Sequence, residues 1–305
     1  MPVGERQTFP LIPRRRRLVG LPFGDLPSRR RGPGGDTIGA RPYVPGDPVS
    51  TIDWGATARL SAATGRDEFV VRERLADDAP RVALVLDRRP AMTLYQPPLP
   101  WLSKPTVLRE AVGAVVASAV AARADLAALD FAGGTAHWAP PARGDRSELV
   151  ATRLADPEPA PEDSLEQALS FLGGHRADLP GGSFVFVFSD FLAPPRPDAW
   201  LEANAHGWDV VPVVIQDPFW ERSFPDVHGA ALPIADPATG GVSVVRISRR
   251  EAAERRRANV ARSARLTEEL ASCGLRPVEL STSDPYEIDR AFIQWAEERR
   301  RGRSR

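Results

Sequence analysis

The chain has 305 residues and a mass of 33.2 kDa, with 40 basic and 40 acidic side chains and no formal net charge. That length fits one large domain with or without a small appendage, and 42% hydrophobic with 26% charged residues is a globular composition. Zero net charge excludes a chain that coats nucleic acid with its whole surface, and the single cysteine, Cys273, excludes an internal disulfide and a Cys-based zinc site.

Taken in chain order, residues 1–35 are rich in Arg, Pro and Gly and are expected to form an irregular arm. Residues 36–80 carry turn signals, Pro45-Gly46-Asp47 above all, and short β-like pieces such as Glu68 to Arg72, which together predict a small β-rich subdomain. From residue 81 to 300 the pattern becomes that of an α/β domain. Val82 to Leu86 is a continuous apolar run ending in Asp87, which reads as a strand buried on both faces. Thr106 to Arg123 reads as a helix, and Asp125 to Phe131 as a strand ended by Gly133-Gly134. Ser164 to Leu172 reads as a helix capped by Asp163 or Ser164. Phe184 to Phe188 is a second buried strand ending in Ser189-Asp190, and Val210 to Ile215 a third, ending at Asp217, with a helix at Asp198 to His206 between them. A hairpin is expected around Thr239-Gly240-Gly241, then a long Arg/Glu-laced helix from Ser248 to Ser272. A strand at Arg276 to Leu280 and a helix at Pro285 to Arg300 complete the chain.

Strands alternating with helices predict an open, mostly parallel sheet with helices on both faces. Ligands bind such sheets at the carboxyl ends of the strands, so Asp87, Asp190 and Asp217 mark the edge where function is sought. Any one of them is also an ordinary turn former or helix cap. No GxGxxG fingerprint, Walker A loop or GxSxG elbow is present. The longest apolar stretch, Ala111 to Ala122, is too short for a bilayer, which needs about 20 apolar residues. No signal peptide is expected, so the cytoplasm is the simplest location. The charge is uneven. Residues 1–34 carry eight Arg against Glu5 and Asp25, and residues 249–305 carry 14 Arg against 10 acids. Those basic ends read as solvated faces, or as docking sites for an acidic partner or lipid headgroups.

Two stretches resemble the domain-of-unknown-function 58 family. The first is Arg41-Pro42-Tyr43-Val44-Pro45-Gly46-Asp47 followed by Ile52-Asp53-Trp54 and Ala56-Thr57-Ala58-Arg59, with Arg29 to Gly32 ahead of it and Glu68-Phe69 and Glu73 behind. The second is Val82 to Asp87, where that family begins a von Willebrand factor A-like domain. Ser189-Asp190-Phe191 and Asp217-Pro218 sit at matching places downstream. The resemblance implies a von Willebrand A-like sheet plus a small β-rich subdomain, and a MoxR-type AAA+ ATPase as companion in the maturation of target complexes.

The resemblance also implies a metal-ion-dependent adhesion site, in which Asp-x-Ser-x-Ser, a Thr and a further Asp hold Mg²⁺ through oxygen ligands. Here the first loop reads Asp87-Arg88-Arg89-Pro90-Ala91. Asp87 and Asp190 match the two acids, and Asp163 or Ser164 could stand for the Thr. Arg89 and Ala91 replace both hydroxyls, and neither offers an oxygen. No metal is therefore expected; Mg²⁺, if kept, would rest on Asp87 and Asp190. Either Arg88 or Arg89 replaces the cation with a fixed salt bridge, or both point to solvent.

The expected function is a non-enzymatic interaction module holding an AAA+ ATPase or its client, not nucleic acid. Asp87, Arg88, Arg89, Asp163, Ser164 and Asp190 would shape its edge, while Arg41, Asp47, Asp53, Trp54 and Arg59 brace the subdomain. For that block the structural reading is the favoured one: Asp47 in a turn, Trp54 in a core, Arg59 paired with an acid. The alternatives are a metal-dependent hydrolase or phosphatase at the same edge, and an envelope-associated scaffold docking through the Arg-rich ends.

Overall fold

The computed structural model describes residues 6–12, 37–43, 52–65, 69–74, 80–94, 102–155, 158–229, 231–236 and 241–303. Contacts divide the chain into two units, residues 17–79 and residues 1–16 with 80–305.

The smaller unit contains strand β1 (Thr37–Pro42), helix α1 (Trp54–Thr64) and strand β2 (Val70–Arg74), with β1 and β2 antiparallel. The helix lies in a stretch that reads from sequence as short β pieces. Its start is set by Asp53, whose Oδ1 accepts from Ala56 N at 3.0 Å, and its end by Gly65 at φ +66°. Thr57 ties it to the strand, since its Oγ1 accepts from Val70 N at 3.0 Å.

The larger unit is a six-stranded sheet with helices on both faces. Its elements are β3 (Arg81–Leu86), α2 (Lys104–Ala121), β4 (Asp125–Asp130), β5 (His137–Ala142), α3 (Ser147–Ala155), α4 (Ser164–Gly174), β6 (Phe184–Ser189), α5 (Pro197–Ala205) and β7 (Asp209–Ile215). A two-stranded ribbon, β8 (Ala231–Ala235) and β9 (Val242–Arg246), follows, then α6 (Arg249–Ser272), β10 (Val278–Leu280) and α7 (Pro285–Arg303). Strand order across the sheet is β10-β7-β6-β3-β4-β5, with only β5 antiparallel. This is the doubly wound order in which the direction of winding reverses between the parallel strands β3 and β6, and the fold is von Willebrand A-like.

The continuous apolar strands split their side chains between two cores, as burial on both faces requires. Val82, Leu84, Leu86, Phe184, Phe186 and Phe188 face α2 and α7, whereas Ala83, Val85, Val185 and Val187 face α4, α5 and α6. Each buried Phe contributes about 1.5–3 kcal/mol. Residues 6–12 belong to the first core although the sequence reads them as part of an irregular arm. Phe9 is buried, stacks on Phe292 at 5.1 Å and lies edge-on to Phe186 and Trp295. Its N–H donates to Ser118 Oγ at 3.1 Å.

Two elements of the larger unit were not legible in the sequence, β5 and α3. Strand β5 contains Pro140 and Pro141, which only an edge strand tolerates. No helix among the described residues is long and apolar enough to cross a membrane.

Candidate functional site at the carboxyl edge of the sheet

Asp87 follows β3, and Ser189 and Asp190 end β6, at the point where the winding of the sheet reverses. The two strand ends are tied by Asp87 N donating to Phe188 O at 3.0 Å. Loops placed here converge because the strands beneath them are rigid and buried.

Arg89 turns back over Asp87. Oδ1 accepts from Arg89 N at 2.9 Å and Nε at 3.0 Å, and Oδ2 accepts from Arg89 Nη2 at 2.7 Å. Ser189 Oγ donates to the same Oδ2 at 2.6 Å and accepts from Arg89 Nη2 at 3.0 Å and Phe191 N at 2.8 Å. The other arm of the guanidinium is also held, with Nη1 donating to Ala193 O at 2.7 Å and Glu162 O at 3.4 Å. Burial opposes the Arg89 charge, and Asp87 outweighs it, so its pKa stays above the ordinary arginine value. Asp190 Oδ1 lies 3.9 Å from Nη2. Just beyond it Phe191 adopts φ +49°, an uncommon conformation for a bulky residue that the Ser189 hydrogen bond and burial against Trp200 hold in place.

The second cation is Lys104, which sequence reasoning missed. It opens α2 and is fully buried, with Nζ 2.6 Å from Asp190 Oδ2 and 2.5 Å from Glu221 Oε1. Glu221 Oε2 accepts from Asp217 N at 2.8 Å, and Asp217 Oδ1 accepts from Phe219 N and Trp220 N, both at 2.8 Å. The loop after β7 is thereby wound around the lysine. Burial opposes the Lys104 charge, but Asp190 and Glu221 outweigh it and raise its pKa. One ammonium shared by two carboxylates leaves a surplus negative charge. Burial accordingly pushes Glu221 up to about 7, against the pull of Lys104. The usable signal in the sequence was composition: Lys104 is the only lysine in the chain.

Other expected residues fall differently. Arg88 does not approach Asp87 or Asp190. It is buried on the opposite side of the loop, donating to Arg153 O and Glu158 O and lying 3.9 Å from Asp130. The segment before α4 does reach the site, through Glu162 O on Arg89. Asp163 is exposed and makes no side-chain cap bond, and Ser164 Oγ is buried with no hydrogen-bond partner among the described residues. Trp54 is 62% exposed, edge-on to Phe69, rather than a core residue. Arg59 is exposed, and no acid pairs with it among the described residues. Asp53 caps α1, and Arg41 pairs with Val71 in the β1–β2 ladder. Asp47 lies outside the described residues. Trp220 packs edge-on to Phe224, and its neighbour Phe219 is the exposed ring.

A divalent cation does not fit this arrangement. Both Asp87 oxygens are filled by nitrogen and hydroxyl donors, Asp190 is held by an ammonium, and Ala91 has no oxygen to offer. Among the described residues no group of three or more His, Cys, Asp or Glu is placed to hold a metal ion.

An uncharacterised protein of Mycobacterium tuberculosis is 26% identical over 295 residues, covering 94% of this chain and 87% of its own, and one from Mycobacterium bovis matches equally. Among solved structures, the conserved hypothetical protein BatB from Bacteroides thetaiotaomicron is 17% identical and covers 72% of this chain and 99% of its own, with a TM-score of 0.41. An aerotolerance-related membrane protein from Bacteroides fragilis is 14% identical over the same shares, with a TM-score of 0.40. The model of the family described as "Protein of unknown function DUF58" matches residues 39–268, three-quarters of the sequence, and the chain belongs to that family.

Proposed function

We propose that the chain is a non-catalytic protein-interaction module that presents the carboxyl edge of its sheet to a protein partner. The proposed partner is a MoxR-type AAA+ ATPase or the client complex that such an ATPase matures. Work beside an ATPase would place the module in the cytoplasm, where nucleotide is supplied.

The observation that carries this reading is the pair of buried cations, Arg89 on Asp87 and Lys104 on Asp190. Protein groups there supply the positive charge that a bound cation would otherwise bring. Their donors are consumed within the fold, which favours a pre-set docking face over a reacting centre. What the edge offers outward is shape. A cavity of about 170 Å³ lies between Arg89, Pro90, Ala91, Glu162, Leu192 and Ala193. That is below the roughly 300 Å³ at which small-molecule sites begin, and it suits one inserted side chain of a partner. Phe219, 51% exposed on the loop after β7, is a suitable aromatic contact at the same edge.

Calorimetric titration of the nucleotide-free ATPase into the chain tests the proposal. Equal affinity in EDTA and in Mg²⁺ is expected, with at least tenfold loss in Leu192→Arg and Phe219→Ser at unchanged melting temperature. Binding that requires Mg²⁺ and vanishes in Asp87→Ala would overturn it. So would Asp87-dependent turnover of a phosphate ester.

A further inference from the structure

The geometry points to β9 as an open sheet edge, and we infer that it takes up an extended, acidic segment of another protein as a third strand of the β8–β9 ribbon. The phase of the ladder shows which backbone groups are free for this. Asp236 N donates to Gly241 O at 2.8 Å. In an antiparallel ladder the mutually bonded pairs recur every second residue, so Ile234–Ser243 and Leu232–Val245 bond inward. Val242, Val244 and Arg246 therefore turn their N–H and C=O groups away from β8. Among the described residues the ribbon has two strands only, so no strand lies on that side.

The two edges of the ribbon differ. On the β8 edge the central outward position is Pro233, paired with Val244, and proline has no N–H to donate. Prolines and charges on edge strands are the usual device against unwanted pairing. The β9 edge has no proline and carries a single charge, Arg246 at its last position, and its Val-Ser-Val-Val run is a strand-forming sequence.

One face of the ribbon is anchored and the other is bare. Leu232 and Val245 pack against the small core of Phe224, Ile247 and Ala252. Val242 is 66% exposed and Val244 72% exposed. A third strand beside β9 would extend both the ladder and this apolar face, which is how strand addition gains affinity and side-chain selectivity.

Charge selects the occupant. Arg246 lies on the strand itself, and Arg249, Arg250, Arg255 and Arg257 are exposed on the helix that follows two residues later. Glu251 and Glu254 offset only part of this: Glu251 closes the capping box with Ser248, and Glu254 pairs with Arg250 at 2.8 Å. Two copies of this chain paired through β9 would bring two such basic regions together, which like charge opposes. An acidic strand from a different protein has no such penalty.

The probe is a fluorescent octapeptide of alternating Glu and Val, titrated against the whole chain by anisotropy. Saturable binding is expected, falling with added salt and absent for the Lys-Val counterpart. Val244→Pro removes the outward donor without touching a bond to β8, and Val244→Lys places a blocking charge; each should weaken binding at least tenfold. Should either variant lose its circular dichroism, Arg246→Glu with Arg249→Glu gives the same readout without a backbone change. Equal binding by wild type and all variants, or no saturable binding of the Glu-Val peptide, would overturn the inference. So would a dimer in light scattering that Val244→Pro abolishes, which assigns the edge to a second copy.

Discussion

Lys104 and Asp190, 86 residues apart, form an ion pair that is almost completely shielded from water, with Nζ 2.6 Å from Oδ2. It joins the first turn of α2 to the end of β6. Because Lys104 also binds Glu221, it fastens the loop after β7 to the same point. Asp87 and Arg89 make the equivalent closure one strand over. The carboxyl edge is thus held by two fixed cations, each embedded in the loops it organises.

Replacing Lys104 with Met keeps the volume of the side chain and removes the charge. Asp190 and Glu221 would then be buried without their partner, a change that costs about 3–5 kcal/mol when one member of a buried pair is lost. Urea unfolding should show a lower midpoint with an unchanged slope. Lys104→Arg should recover only part of the loss, because a planar guanidinium cannot occupy the point position between two carboxylates.

Glu221 gives the site a pH dependence of definite sign. Its pKa in the folded chain is about 7, above the ordinary 4.5, so the native state holds this proton more tightly than the unfolded one. The stabilisation from this group is complete below pH 4.5 and is lost as pH rises through 7. The expected decline is on the order of 3 kcal/mol over that window. Glu221→Gln cannot titrate and should flatten that part of the stability–pH curve. Chemical denaturation at half-unit pH steps measures it, and a wild-type curve rising from pH 4.5 to 7 relative to the variant would refute the assignment.

Much of this was open to sequence reading because the central strands are buried on both faces and so carry unbroken apolar runs. Their terminal acids then located the edge. Strand β5 was hidden by its two prolines, and α1 by an apolar face so slight that Thr57 is its one buried residue. Arg89 could be suspected because it replaces a hydroxyl. The choice between Arg88 and Arg89 could not be made, since neighbouring residues on extended backbone project to opposite sides. Lys104 carried no local signal: a lone lysine after Leu102-Ser103 reads as a solvated helix start. Its partners, Asp190 just after β6 and Glu221 in the loop after β7, lie 86 and 117 residues further along the chain, a convergence that exists only in the folded sheet.

Phe9 tests the packing of the N-terminal segment. It touches Phe186, Phe292 and Trp295 within the core that β6 shares with α2 and α7. Phe9→Ala should cost about 3–5 kcal/mol, the range for removing a buried aromatic ring. A loss below about 1 kcal/mol by thermal or urea unfolding would show that residues 6–12 add little to the core.

Asp87 and Arg89 decide whether the edge is closed to metal. Titration of Mg²⁺ or Mn²⁺ into the wild type should give no saturable heat at millimolar concentration, because the Asp87 oxygens already accept from Arg89 and Ser189. Arg89→Ala should destabilise the chain by about 3–5 kcal/mol, since it leaves a buried carboxylate without its counter-charge. Asp87→Asn alone should also destabilise, while Arg89→Ala combined with Asp87→Asn should cost less than the sum of the two. That non-additivity, read from a double-mutant cycle, measures the coupling directly. Additive losses, or tight Mg²⁺ binding by the wild type that disappears in Asp87→Ala, would show that Arg89 does not hold the place of a cation.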